Sequence, residues 1–179
     1  MRITVIGRGN LGGGLATLWR AAGHEVEALG REGGDASSAD VVVVAVPGGE
    51  IAAALAQVTG IAGKVAIDTT NAVRGRPPGF ESLAEQVKSI VGGPTAKAFN
   101  TVFAREFDAI ATTSPTPSCL WCGDDAAREA TERLIRDAGL EPAFIGGLER
   151  AAALENFLLD IVFPVSRDRG GPFLYRFGL

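Results

Sequence analysis

The sequence predicts an α/β fold: a doubly wound, mainly parallel sheet with a short C-terminal helical extension. Three observations predict it. Short apolar runs alternate with amphipathic segments along the whole chain, the order expected of strands covered by helices on both faces. The run Val41-Val42-Val43-Val44 is β-branched without polar alternation, as a strand buried on both sides requires. The chain has 179 residues, 46% of them apolar, enough for a sizeable core without a metal or disulfide staple.

Strands are expected at 2–6, 25–29, 41–46, 64–68, 96–101, 118–122 and 142–145, and helices at 11–22, 49–58, 81–91, 125–138 and 148–163. One crossover is too short for a helix. Only eleven residues, 30–40, separate the second strand from the third, and they include the pair Gly33-Gly34, which disfavours helix. A stub of a turn is expected there. Helix 148–163 carries Leu154, Phe157, Leu158, Ile161 and Val162 at the spacing of one apolar stripe, suited to closing the flank of the sheet or pairing with a second subunit. The tail from Ser166 to Tyr175 is rich in Arg, Gly and aromatics, a composition suited to a loop that meets a ligand or another chain.

Composition excludes several classes. The net charge is −4 with no basic cluster, which argues against nucleic acid or an anionic membrane as partner. Unbroken apolar runs reach six residues, as from Val41 to Val46, against about 20 for a membrane span. The apolar stretch after Met1 is too short for a signal-peptide core, so a cytoplasmic protein is expected. Cys119 and Cys122 form a C-x-x-C in a strand-like stretch, where a separation of three puts the side chains on opposite faces. With His24 the only histidine, two buried thiols are expected rather than a redox pair or a metal site.

The chemistry begins at Gly7-Arg8-Gly9-Asn10-Leu11-Gly12, a G-x-G-x-x-G directly after the first strand and opening the first helix. Gly7 permits the tight turn, Gly9 lets a pyrophosphate approach the backbone, and Gly12 lets helix and strand pack closely. The phosphates then meet free amides at the positive end of the helix. This is the Rossmann dinucleotide fingerprint, with 1–147 as its core and 148–179 as a C-terminal helix and tail in a single domain, 1–179. No Lys-Ser or Lys-Thr follows the glycines, which removes the P-loop alternative.

The end of the second strand selects the cofactor. Glu27 lies 20 residues after Gly7, the usual spacing of a carboxylate that accepts the ribose hydroxyls of NAD. Ala28 and Leu29 carry the strand further, however, so Gly30 and Arg31 reach the rim. A guanidinium there suits a 2′-phosphate, and Gly30 leaves it room. NADP is therefore expected, with Arg8 as a second contact to phosphate or adenine. Three further strand ends should line the cleft: Val46-Pro47-Gly48, Thr69-Thr70-Asn71 and Phe99-Asn100-Thr101. Val46, Pro47, Thr70, Asn71, Asn100 and Thr101 are the candidates to meet ribose or carboxamide, although turn chemistry accounts for any one of them equally well.

With these residues in hand, the chain resembles the NADPH-dependent reductases of the deazaflavin coenzyme F-420. The matching stretches are Ile6-Gly7-Arg8-Gly9-Asn10-Leu11-Gly12, Gly23-His24-Glu25-Val26 leading to Gly30-Arg31, Ala39-Asp40 through Val46-Pro47, Ile67-Asp68-Thr69-Thr70-Asn71, Lys97-Ala98-Phe99-Asn100-Thr101, Cys122-Gly123-Asp124-Asp125, and Leu148-Glu149-Arg150-Ala151 through Leu154-Glu155. The resemblance implies that Arg31 contacts the 2′-phosphate and that Gly9, Asn10 and Leu11 hold the pyrophosphate. It also implies that Pro47 and the loops after the fourth and fifth strands flank the nicotinamide. Two departures stand out. The crossover after Arg31 is shorter than in a typical member, and Glu32 replaces a second basic residue. Part of the acceptor site is expected in the loop 71–80.

Hydride transfer between NADPH and a deazaflavin asks the protein mainly for positioning of two rings in a dry cleft. No catalytic acid or base is assigned, and no metal. Tyr175 is the only tyrosine and Leu179 stands four residues on, so the Tyr-x-x-x-Lys of short-chain dehydrogenases is absent. His24 is expected at the surface or capping the first helix, away from the strand rims. The alternatives are an NADPH-dependent reductase of a flavin or another small acceptor, and a non-catalytic NADP-binding sensor. A homodimer is expected, because so short a tail can hardly cover a large planar acceptor.

Overall fold

A computed structural model describes residues 1–177. Seven strands form the main sheet: β1 (Arg2–Ile6), β2 (Glu25–Leu29), β4 (Val41–Val44), β6 (Val65–Asp68), β7 (Thr95–Lys97), β8 (Ser118–Gly123) and β9 (Glu141–Phe144), in the spatial order β2-β1-β4-β6-β7-β8-β9. The pairs are parallel except β7 with β8. The order reverses beside β1, which has β2 on one side and β4 on the other. That reversal opens a crevice beyond the carboxyl ends of the strands, where ligands of open α/β sheets bind.

The short crossover after β2 holds no helix. It forms a two-residue strand, β3 (Gly34–Asp35), paired in parallel with β5 (Val58–Thr59). Asp35 ties this ribbon together by accepting from Ser37 Oγ at 2.6 Å and Thr59 Oγ1 at 2.7 Å.

β4 shows why the sheet is covered on both faces. Val41 and Val43 join a core with α1 (Asn10–Ala21) and α5 (Arg128–Asp137), whereas Val42 and Val44 join one with α2 (Ile51–Leu55) and α3 (Leu83–Val91). Trp19 of α1 is fully buried and donates its indole N–H to the Leu134 carbonyl of α5 at 2.8 Å. The helix α3 starts two residues later than expected because Ser82 is its cap: its hydroxyl accepts from the Glu85 amide at 3.2 Å. A short helix that the sequence pattern did not signal, α4 (Phe107–Ile110), seals the α1 side of the sheet after β7.

The C-terminal segment is not one continuous helix. A single 3₁₀ turn leads into α6 (Ala151–Phe157), then a π-helical stretch (Leu158–Val162), then α7 (Phe163–Asp168). Pro164 offers no amide to the carbonyl four residues back, so regular α-helical bonding cannot run through this point. The expected stripe is accordingly split: Leu154, Leu158 and Val162 are buried, but Ile161 is 49% exposed. The tail returns along β8, with Ser118 donating its amide to the Tyr175 carbonyl at 2.8 Å. Its aromatics pack on the chain itself, Tyr175 edge-on against Phe157 at 6.0 Å. No helix among the described residues is long and apolar enough to cross a membrane.

Candidate functional site

Beyond the carboxyl ends of β2, β1, β4 and β6 lies a cleft of about 1360 Å³. Its centre is the turn from β1 into α1. Gly7 sits at φ +107°, and its amide donates to the Leu29 carbonyl at 3.0 Å. A Cβ there would clash with the Ala45 carbonyl, and one on Gly12 with the Gly7 carbonyl. These two glycines are demanded by the protein's own packing.

Gly9 differs. It is exposed in the cleft, its φ is −72°, and a Cβ on it would meet no protein atom within 4 Å. Its place as the N-cap of α1 already favours glycine, and its open side faces the cleft. As the residue capping α1, Gly9 makes no side-chain cap hydrogen bond, and the first turn holds no acidic residue. The amides of Asn10, Leu11 and Gly12 precede the first helical bond, from the Gly13 amide to the Gly9 carbonyl at 2.7 Å. They form the uncapped positive end of the helix.

On one side of this turn is the end of β2. The register pairs Glu27 with Thr4 and Leu29 with Ile6, so Glu27 stands two residues back from the rim and does not line the cleft. Gly30 and Arg31 do line it, together with Arg8 and Glu32. On the other side Val46 and Pro47 follow β4, and Thr70 and Asn71 follow β6; all four line the cleft. Leu11 completes the lining among the expected residues, whereas Asn10, Gly12, Asn100 and Thr101 lie off it.

Asn100 and Thr101 are buried beneath the floor. The Asn100 side-chain amide donates to Asn71 Oδ1 at 2.9 Å and to the Leu154 carbonyl at 3.0 Å, and Asn71 Nδ2 donates to the Asn100 carbonyl at 2.7 Å. This reciprocal pair fixes Asn71 at the cleft. Thr101 Oγ1 bonds the Tyr175 hydroxyl, and burial pushes that phenol above its ordinary range. Phe99, just before them, is held at φ +62°, an outlying conformation for a bulky residue. It turns the chain out of β7 and packs edge-on against Trp19 at 5.7 Å.

The structure adds Ala53 and Gln57 to the lining, which the sequence pattern did not single out. Glu32 borders the cleft beside Arg31, and Val73, Arg74 and Gly75 border it at the β6 side. The last three belong to the loop 71–80. A buried charge cluster braces that loop. Lys97 Nζ meets Asp68 Oδ2 at 2.6 Å, Glu155 Oε1 at 3.1 Å and the Thr70 carbonyl at 2.9 Å, and Arg76 Nε donates to Glu155 Oε2 at 2.7 Å. A lone lysine among alanines in a short strand was its only trace in the sequence.

Three further residues lie outside the site. His24 is buried, not at the surface: its Nε2 lies 2.7 Å from Asp137 and its Nδ1 3.2 Å from the amino group of Met1. Cys119 joins the α1 face and Cys122 the α6 face, both as free thiols pushed by burial to about 12.

No protein-family model and no curated protein matches the chain. Solved structures do. A proposed F-420-dependent NADP-reductase from Arthrobacter sp. FB24 superposes with a TM-score of 0.82 at 23% identity, covering 100% of both chains. The fold is therefore the Rossmann-type, doubly wound one. The Sinorhizobium meliloti protein SMa0349 gives 0.66 at 26% identity over 84% of this chain and 88% of that one. A reductive aminase from Aspergillus terreus, solved with NADPH and ethyl levulinate, gives 0.68 at 16% identity over 94% of this chain and 62% of that one.

Proposed function

We propose that the protein is an NADP-dependent oxidoreductase that transfers a hydride between NADPH and a deazaflavin or similar planar acceptor. The observation that carries the nucleotide reading is Gly9: its open side and the uncapped amides behind it form a cradle that a Cβ would fill and that nothing in the chain uses. A pyrophosphate fits that cradle. Arg31 at the end of β2 supports the 2′-phosphate, since Glu27 is set back from the rim. Two structural neighbours point the same way, one named as an NADP-reductase and one solved with NADPH.

In this reading the amides of Asn10 and Leu11 hold the diphosphate, and Arg31 grips the adenosine end. Val46, Pro47, Thr70 and Asn71 flank the reacting ring. Bound NADPH supplies the hydride. The chain's own part is to orient the two rings and to keep water out. Val73, Arg74 and Gly75 of the loop 71–80 border the cleft, and the acceptor is placed beside them. Among the described residues the acidic side chains of the lining are Glu32 and Glu50, and hydride transfer to a deazaflavin or flavin asks neither to protonate an alkoxide. The assignment of a deazaflavin follows the neighbour that matches along its full length. Cytoplasmic residence and a homodimer belong to the same proposal.

Titration with NADPH and NADH by fluorescence, followed by mixing with deazaflavin and with flavin, tests it. NADPH should bind, and the deazaflavin absorbance should fall. Binding without reduction of any acceptor would favour the sensor, and no binding would end the nucleotide reading.

A further inference from the structure

The adenosine end of the cleft holds a charge pair that the proposed function leaves unused. The Arg8 guanidinium meets the Glu32 carboxylate, Nη1 to Oε1 at 3.1 Å and Nη2 to Oε2 at 3.4 Å. The pair lies across Gly30, where a Cβ would stand 2.7 Å from Arg8 Cζ and 2.5 Å from Glu32 Oε2. Arg31 is beside them, and among the described residues no carboxylate lies within ion-pair distance of it. Two guanidiniums therefore border the rim next to Gly30, one without an acidic partner and one engaged.

A 2′-phosphate arriving at this rim meets Arg31 directly but meets Arg8 only after Arg8 leaves Glu32. Both members of the pair are 61% exposed at the side chain, so water screens their attraction and leaves it weak. A bidentate arginine–phosphate contact is stronger, so the exchange is feasible. A ribose with a free 2′-hydroxyl leaves the Arg8–Glu32 pair as it is.

Resting on the nucleotide reading above, the geometry points to Glu32 as a specificity-determining residue: it competes with the 2′-phosphate for Arg8 and so narrows the preference for NADPH over NADH. Its carboxylate works through Arg8.

Calorimetry with NADPH, NADH, 2′,5′-ADP and AMP tests this on the wild type, Glu32→Gln, Arg8→Gln and the double variant. Glu32→Gln should bind NADPH and 2′,5′-ADP about five-fold more tightly and NADH and AMP within two-fold of the wild type. In the Arg8→Gln background the gain from Glu32→Gln should fall below about two-fold. An unchanged NADPH-to-NADH ratio in Glu32→Gln, or a full gain without Arg8, overturns this inference while leaving the nucleotide reading intact. Wild-type protein that gives no heat with either nucleotide overturns both.

Discussion

The Lys97 ammonium and the Asp68 carboxylate form a 2.6 Å ion pair with neither side chain exposed to solvent. Glu155, equally buried, takes the other side of the ammonium and also accepts the Leu83 amide at 2.8 Å. Through Arg76 the same carboxylate holds the loop whose residues Val73 to Gly75 border the cleft. Removing one member strands its partners in a low-dielectric site. Lys97→Met should therefore cost about 3–5 kcal/mol, read by urea unfolding. Arg76→Met, at the partly exposed edge of the cluster, should cost clearly less and should weaken acceptor use more than NADPH binding. Equal losses for the two variants would mean that the cluster is wet.

The fingerprint glycines separate folding from binding. Gly12→Ala places a methyl against the Gly7 carbonyl and should destabilise by about 1–3 kcal/mol, the range for an overpacked contact. Gly9→Ala meets no protein atom, so stability should fall by about 1 kcal/mol or less, the loss of a favourable cap residue. Its NADPH affinity should nevertheless drop about tenfold, since the methyl fills the phosphate cradle. Thermal unfolding and nucleotide titration on both variants check the contrast. A Gly9→Ala protein that binds NADPH normally would remove the cradle.

These two sites also show what the sequence could and could not convey. The glycine turn was legible because its spacing, between an apolar strand and a helix, is local. The seven strands of the main sheet were legible for the same reason, as Val41–Val44 reads as doubly buried and is, whereas the two-residue strands β3 and β5 were not. The Lys97 cluster was not, because its members come from β6, β7, α6 and a loop and meet only on folding. His24 was misplaced at the surface because its partner, Asp137, lies 113 residues away. The break in the C-terminal helix lies next to Pro164, one residue past the expected helix 148–163, whose own apolar spacing reads as continuous.

In the proposed function Arg31 carries the cofactor choice. Set at the rim while Glu27 stands back beside Thr4, its guanidinium should contribute about 1.5–3 kcal/mol to NADPH binding as a charged hydrogen-bonding group. Arg31→Ala should then raise the NADPH dissociation constant by roughly ten- to 150-fold and leave that for NADH almost unchanged. Parallel losses for both nucleotides would take Arg31 out of the phosphate site.

The buried thiols predict an alkaline limit to stability. Burial raises Cys119 and Cys122 from 9.0 to about 12, so between these values the unfolded chain has released protons that the folded chain still holds. The native state then binds more protons than the unfolded one, and stability must fall as pH rises. Below about 9 the contribution is complete. From there to about 12 each thiol removes about 1.4 kcal/mol per pH unit. Tyr175, raised by the same cause, adds its own slope above its ordinary 10.0. Replacing both cysteines by alanine should lower stability at pH 7 through lost packing, yet make the decline between pH 9 and 11 shallower. Urea midpoints measured across that range decide it, and an identical slope in both proteins would mean that the thiols ionise in the folded state as freely as in water.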